Sequence, residues 1–204
     1  MTGSLSGHDL CLLRGDRCLF QQLGFALHAG ELLFVEGPNG SGKTSLLRGI
    51  AGLLDFETGQ VTWDGQPVTA AYQTFRSNLV WLSHRVGFKG ELNLIENLQF
   101  EASLRASSMG NLQAIIGRLG LRRLTELPFR YLSAGQQRRV ALARMLLSDA
   151  LLWLMDEPFT NLDKAGQALV AELLAEHLAG GGLCVAASHQ MVEIDAPTKR
   201  VTLQ

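Results

Sequence analysis

A glycine-rich segment in the first quarter of the chain has the residue types and the spacing of a phosphate-binding loop. Its residues are Gly37, Pro38, Asn39, Gly40, Ser41, Gly42, Lys43, Thr44 and Ser45. Glycines let main-chain N–H groups turn toward phosphates, and a helix that begins near Lys43 would add the positive end of its dipole. We expect Lys43 to reach the β- and γ-phosphates of a nucleotide and the Thr44 hydroxyl to bind Mg²⁺. A glycine-rich turn before an ordinary helix is the alternative, and the complete spacing disfavours it.

Two consecutive carboxylates follow an apolar segment farther along the chain. Residues 151–155 are apolar and lead directly into Asp156 and Glu157. A strand that is buried on both faces has to be apolar, so acids at its end are costly unless they serve chemistry. We expect Asp156 to support Mg²⁺ coordination from behind the direct ligands, and Glu157 to act as the base that positions an attacking water. Solvated acids at a strand end are the alternative.

The segment 132–136 has the spacing of a helix start with an unusual glycine. Ser133 and Gln136 form the S-x-x-Q pattern of a capping box, which predicts a helix that continues through Leu147. Gly135 is a poor helix former in the first turn, where a bare backbone could approach a ligand closely. Because helix N-termini attract phosphate, this segment is a second candidate anion site. A well-capped helix without a ligand is the alternative.

The elements between these motifs alternate between strands and helices. Apolar runs predict strands over 31–36, 59–64, 79–83, 151–155 and 183–187, and helical spacing follows the glycine-rich loop and separates the last two strands. This order predicts a largely parallel sheet, with the ligand site beyond the carboxyl ends of its strands. Residues from about 92 to 147 have helical spacing and form a predicted helical insertion. We expect residues 1–204 to fold as one domain.

Composition excludes several classes of function. The chain is 47% hydrophobic with a formal net charge of −1, which gives no global attraction to nucleic acid, so we expect no nucleic-acid partner. The longest apolar runs are far shorter than the roughly 20 residues that a membrane-spanning helix needs. The first residues lack the basic and apolar regions of a signal peptide, which predicts a cytoplasmic location.

One further candidate is His189, which follows the last predicted strand. Taken in chain order, the candidate segments resemble the motifs of the ATP-binding-cassette (ABC) family. They are the glycine-rich loop, the 132–136 segment, the acidic pair and His189. The resemblance runs the length of the chain. It implies an α/β P-loop NTPase with a mostly parallel core sheet, an N-terminal antiparallel β part and a helical subdomain. It also implies that His189 contacts the γ-phosphate and the attacking water, so that Glu157, His189 and Lys43 are the catalytic residues and ATP and Mg²⁺ the cofactors.

The family resemblance further implies a homodimer. In ABC proteins ATP lies between two chains, with the counterparts of Ser133, Gly135 and Gln136 from one chain facing the γ-phosphate held by the loop of the other. Asp163 matches the aspartate that connects the two sites across that interface.

Two positions depart from the family pattern. The aromatic residue that usually stacks on adenine aligns with Arg14, whose guanidinium can stack on a base but could weaken the preference for adenine. The glutamine expected after the strand that ends at Ser83 is replaced by His84 and Arg85. These departures suggest a second hypothesis, a regulatory module that closes on ATP without hydrolysing it.

Within the family, the chain is similar to the ATP-binding subunits of haem exporters that serve cytochrome c maturation in Gram-negative bacteria. The segments that carry this similarity are 132–144, with Ala134 where most cassettes have glycine, 156–160 and 84–98. It implies integral membrane partners in a haem export complex and a peripheral position on the cytoplasmic face of the inner membrane. Hydrolysis would serve haem delivery, either by powering the membrane subunits or by releasing a haem-loaded chaperone. A cassette for another transported substrate is the alternative.

Overall fold

The computed structural model describes residues 3–83, 87–105, 109–190 and 192–204, with Arg105 described by its backbone alone. His84 and Arg85, which stand where the family glutamine was expected, are not among the described residues. In chain order the elements are β1 (Ser4–Arg14), β2 (Arg17–His28), β3 (Leu32–Glu36), α1 (Lys43–Ile50), β4 (Thr58–Trp63), β5 (Gln66–Pro67), α2 (Tyr72–Ser77), β6 (Leu79–Leu82), α3 (Leu94–Arg105), α4 (Leu112–Arg118), α5 (Ala134–Leu146), β7 (Leu152–Asp156), α6 (Lys164–Ala179), β8 (Leu183–Ala187) and β9 (Thr198–Thr202).

The strands that precede the predicted site residues lie in one parallel sheet. Its order is β6-β7-β8-β3-β9, and every neighbouring pair is parallel. The carboxyl ends of β3, β7 and β8 therefore meet at one edge of the sheet. The phosphate loop, the acidic pair and the segment with His189 follow these three strands.

Side chains alternate between the two faces of this sheet, and both faces are covered. One apolar cluster joins Val35, Leu154 and Val185 to α1 and to strands β1, β2 and β4. The other joins Phe34 and Met155, together with the neighbouring strands' residues, to α3, α4, α5 and α6. Burial on both faces explains why β7 and β8 are uninterrupted apolar runs rather than alternating ones.

The N-terminal strands form a second, antiparallel sheet of order β2-β1-β4-β5. Arg14 pairs with Arg17 at the tip of the β1–β2 hairpin. Buried residues of this sheet, such as Leu5 and Val61, belong to the same cluster as the residues of α1. The predicted combination of a mostly parallel core sheet with an N-terminal antiparallel part is confirmed.

The helical insertion consists of α3, α4 and α5 with short 3₁₀ turns at Arg122–Leu124 and Phe129–Tyr131. It lies between β6 and β7 in the chain. None of the helices in the described ranges is long and apolar enough to span a membrane.

Two elements have no counterpart among the sequence-based predictions. Strand β9 follows β8, which was expected to be the last strand, and pairs with β3 at the edge of the parallel sheet. Four of its five residues are exposed, so it carries little apolar signal. Helix α2 is one and a half turns long and buries only Phe75.

Candidate nucleotide-binding site

A cleft of about 540 Å³ lies at the edge of the parallel sheet where β3 and β7 end. Its lining residues are Arg14, Leu19, Asn39, Gly40, Gly42, Lys43, Thr44, Ser45, Asp156, Glu157, Thr160 and His189. Six of the nine predicted loop residues are in this set, and the hairpin of β1 and β2 contributes Arg14 and Leu19. The remaining loop residues, Gly37, Pro38 and Ser41, shape the loop without lining the cleft.

The loop is folded tightly around the amine of Lys43. Nζ of Lys43 donates hydrogen bonds to the carbonyl oxygens of Gly37, at 2.8 Å, and Pro38, at 3.2 Å. A Cβ atom at position 37 would lie 2.5 Å from the carbonyl oxygen of Leu203 and 2.7 Å from Oγ of Ser41, at a φ of +147° that side chains disfavour. Only glycine fits there. The loop thus holds a cation beside main-chain N–H groups, which is an arrangement suited to phosphate.

Thr44 and Asp156 meet where the loop approaches the end of β7. The Thr44 hydroxyl donates to Oδ2 of Asp156 at 2.8 Å, and Asp156 is 2% exposed. Both side chains offer oxygen, the ligand that Mg²⁺ prefers. No cluster of three or more histidine, cysteine or acidic side chains suited to a metal occurs in the described part of the chain. The pair therefore fits an ion that also takes ligands from phosphate and water.

The carboxylate of Glu157 lies close to both Lys43 and His189. Oε2 is 2.8 Å from Nδ1 of His189, and this ring nitrogen carries the hydrogen of the contact because a carboxylate only accepts. The Ser188 hydroxyl also donates to Oε2, at 3.3 Å, and Nζ of Lys43 lies 3.8 Å from Oε1. The Glu157 side chain is 15% exposed. The structure thus brings Lys43, Glu157 and His189 together.

Arg138, on α5, is a buried residue of the site that the sequence reasoning missed. Nη1 donates to the carbonyl oxygen of Ser83 at 3.0 Å, and Nη2 donates to those of Asp156, at 2.7 Å, and Glu157, at 2.5 Å. Burial lowers the pKa of the guanidinium to about 10, against the opposing attraction of the Asp156 and Glu157 carboxylates. The charge is retained at neutral pH because this pKa is still well above 7.

The residues of the 132–136 segment are not part of this cleft. Ser133 caps α5 as expected: its Oγ accepts from the N–H of Gln136 at 3.3 Å, and Oε1 of Gln136 accepts from the N–H of Ser133 at 2.8 Å. A Cβ atom at Gly135 would lie 3.0 Å from the carbonyl oxygen of Asn161. No residue of this segment is among the described residues that line the cleft.

Asp163 also lies outside the cleft, at the N-terminus of α6. Its Oδ1 accepts from the N–H of Gly166 at 2.8 Å, so the side chain caps the helix, and it is 73% exposed.

Three further residues at the cleft were not expected from the sequence. Leu19 lines it from β2, while Thr160 and Ser188 place hydroxyls near Oε2 of Glu157, at 3.5 Å and 3.3 Å. Ser188 is adjacent in sequence to His189, and Thr160 lies three residues after Glu157, so proximity in sequence is a signal that could have identified them. Leu19 has no such signal, because its position depends on the hairpin register.

The fold and the cleft define a P-loop nucleotide hydrolase, and comparison with known proteins specifies its class. The family model described as ABC transporter matches residues 20–160. The chain belongs to the ABC transporter family, so it binds ATP and is an ATPase. The resemblance seen in the sequence motifs is confirmed.

Comparison with curated relatives shows which kind of ABC transporter protein this chain is similar to. The chain is 46% identical over 181 residues to the "Cytochrome c biogenesis ATP-binding export protein CcmA" of Nitrosococcus oceani, an alignment that covers 89% of this chain and 83% of that protein. It is 42% identical over 201 residues to the protein of the same name from Methylococcus capsulatus, covering 98% and 97% of the two chains.

A solved structure agrees in fold. The putative ABC transporter ATP-binding protein of Pyrococcus furiosus superposes with a TM-score of 0.84 over 97% of this chain and 96% of that one, at 23% identity. The predicted fold class, an α/β P-loop NTPase, is confirmed.

Proposed function

We propose that this chain is the ATP-hydrolysing subunit of a membrane transporter complex that serves haem delivery in c-type cytochrome biogenesis. Support comes from relatives at 39–46% identity, each named as a cytochrome c biogenesis ATP-binding export protein. The alignments cover most of both chains, which favours a shared role of the whole protein rather than of a common fragment.

The proposal that this chain hydrolyses ATP is supported above all by the position of the Glu157 carboxylate. It lies 2.8 Å from Nδ1 of His189 and 3.8 Å from Nζ of Lys43. We assign Glu157 as the base that orients and deprotonates the attacking water. His189, which is held by Glu157, would contact the γ-phosphate and the water. Lys43 would exchange its two carbonyl acceptors for phosphate oxygens when ATP enters, and thereby leave the Glu157 carboxylate free to accept a proton.

Thr44 and Asp156 are the residues that would hold Mg²⁺, Thr44 directly and Asp156 from behind it. When bound, the ion would offset the charge of the phosphate oxygens. The Thr44 hydroxyl is already fixed toward the Asp156 carboxylate at 2.8 Å, so little rearrangement of these side chains is needed. Arg14 and Leu19 lie on the hairpin side of the cleft, where the base of the nucleotide would rest.

A second copy of the chain would complete the site. Ser133, Gly135 and Gln136 form a capped helix tip that is absent from the lining of this cleft among the described residues. We propose that this tip faces the γ-phosphate bound by the partner copy, with Asp163 between the two sites. The resulting homodimer would dock on integral membrane subunits and lie peripherally on the cytoplasmic face of the bacterial inner membrane.

Replacement of Lys43 with alanine in a host that depends on this chain for cytochrome c maturation tests the proposal. We expect loss of holocytochrome c, because the loop would lose the cation that meets the phosphates. Arg48→Ala is the matched control, since Arg48 is an exposed cation on the same helix and does not line the cleft. Normal holocytochrome c in the Lys43 variant would remove the haem assignment while leaving the ATPase class untouched.

A further inference from the structure

The Arg138 side chain joins three parts of the chain that are distant in sequence. It extends from α5, the helix that begins at the capped tip, to the main chain at the ends of β6 and β7. It is 6% exposed, and its acceptors are the carbonyl oxygens of Ser83, Asp156 and Glu157. A single guanidinium thus connects α5 to the residue assigned as the base.

A buried guanidinium is costly to maintain for stability alone. Its charge loses hydration, and it donates to the neutral carbonyls of Ser83, Asp156 and Glu157. Apolar replacements of buried charges are often neutral or stabilising in proteins, so burial of this charge is poorly explained as a source of stability. What an arginine offers and an apolar residue does not is a rigid fork of donors that fixes several acceptors in one geometry.

Of the three acceptors, the carbonyl oxygen of Glu157 belongs to the residue with the least favourable backbone conformation. Glu157 has a φ of +50°, in the left-handed region that residues other than glycine rarely adopt. Such conformations persist where the surroundings hold them from several sides. Here the N–H of Glu157 donates to the carbonyl oxygen of Ala187 at 2.7 Å, and its own carbonyl accepts from Arg138 at 2.5 Å.

We propose that Arg138 is a positioning residue for ATP hydrolysis, which holds the backbone of Glu157 so that the carboxylate points at the attacking water. The inference rests on the proposed role of Glu157 as the base. It also gives the capped helix tip a route to the base, because Arg138 lies five residues after Ser133 on the same helix. If α5 moves when the tip meets phosphate, Arg138 would then shift the backbone of Glu157.

The test compares Arg138→Met with Arg144→Met in the full chain. Arg144 lies on the same helix, and its side chain is 11% exposed. It donates to the carbonyl oxygen of Trp81 at 2.8 Å and lies 3.7 Å from Oε2 of Glu101, so it is a second largely buried arginine on α5 with a main-chain acceptor on a distant strand. A 1 Å misplacement of a reacting group costs on the order of 100-fold in rate. We expect Arg138→Met to lower kcat roughly 10- to 100-fold, with the dissociation constant for ATP changed by less than about twofold.

Arg144→Met should change the melting temperature about as much as Arg138→Met does, but should change kcat by less than about twofold. Arg138→Lys should recover part of the lost kcat, because an ammonium can still donate to some of the three carbonyls. If either methionine variant fails to fold, Arg138→Lys against Arg144→Lys makes the same comparison. Equal losses of kcat at positions 138 and 144 would overturn the inference.

The Glu157→Gln background separates this inference from the proposed function. If Arg138 acts through Glu157, adding Arg138→Met to Glu157→Gln should change the residual rate by less than about twofold. A full further loss in the double variant would overturn the positioning role while leaving Glu157 as the base. If Glu157→Gln itself hydrolyses ATP at the normal rate, the proposed role of Glu157 as the base is refuted, whatever the Arg138 variants show.

Discussion

Replacement of Glu157 with glutamine removes a proton acceptor while nearly preserving the shape of the side chain. The amide oxygen can still accept from Nδ1 of His189, which lies 2.8 Å from Oε2, and from the Ser188 hydroxyl at 3.3 Å. What is lost is the negative charge and the ability to take a proton from water. The variant therefore tests the chemistry of the site rather than its packing.

The expected loss of rate follows from the role of the carboxylate. A positioned base contributes about 10²–10⁴-fold to a rate, which corresponds to roughly 2.7–5.4 kcal/mol of activation free energy at 1.36 kcal/mol per factor of ten. Stability should change far less, because Lys43 keeps its carbonyl acceptors at 2.8 and 3.2 Å. We expect the melting temperature to move by no more than about 2–4 °C, or about 1 kcal/mol for a chain of this size.

The assay is steady-state phosphate release by the isolated chain and by the chain with its membrane partners. Glu57→Gln, which changes an exposed carboxylate outside the cleft, is the control. Light scattering with saturating ATP should show Glu157→Gln as a dimer that persists after the unmodified chain has separated. Turnover equal to that of the control would refute the assignment of Glu157, and a variant that stays monomeric under ATP would refute the shared site.

Three further outcomes are expected. Thr44→Val, which removes the hydroxyl that donates to Asp156 at 2.8 Å, should raise the Mg²⁺ concentration for half-maximal hydrolysis at least roughly tenfold, and an unchanged Mg²⁺ titration would contradict the assigned metal site. Gly37→Ala, whose Cβ atom would lie 2.5 Å from the carbonyl oxygen of Leu203, should weaken ATP binding at least roughly tenfold by calorimetry, or about 1.4 kcal/mol, and wild-type affinity would contradict the need for glycine. Burial lowers the pKa of His177 below its ordinary value, so the unfolded chain takes up a proton first as pH falls below about 6.5, and the free energy of unfolding should decrease there. His177→Gln should reduce that acid sensitivity in denaturant titrations at pH 7.5 and 5.5, and an equal decrease in both proteins would contradict it.

The parts of the fold that sequence predicted best are those where local chemistry and tertiary packing demand the same residues. Strand β8 was predicted over 183–187 and has those bounds, because a strand covered on both faces needs an unbroken apolar run and its flanks are polar or glycine-rich. The phosphate loop was predictable for a related reason. Its glycines and its lysine serve one local geometry, so their spacing alone carries the information.

The residues that escaped prediction depend on contacts between distant segments. A charged residue within a helix is usually solvated, so nothing in the α5 sequence indicates that Arg138 is buried against carbonyls 18, 19 and 55 residues away. Leu19 reaches the cleft only through the register of the β1–β2 hairpin. Strand β9 is held by main-chain pairing with β3, and its exposed polar side chains give no apolar pattern.

The distribution of these groups over one chain explains why hydrolysis should require two copies. Lys43, Glu157 and His189 meet in a single chain at the edge of the parallel sheet, so each copy holds its own phosphate loop and its own proposed base. The capped tip at Ser133 is on α5, outside that cleft but on the helix that carries Arg138. In the proposed dimer, α5 would bear both the tip that meets the partner's phosphate and the arginine that positions the local base. Closure of the dimer and alignment of the base would then be a single event, and a solitary chain with bound ATP would hydrolyse it slowly.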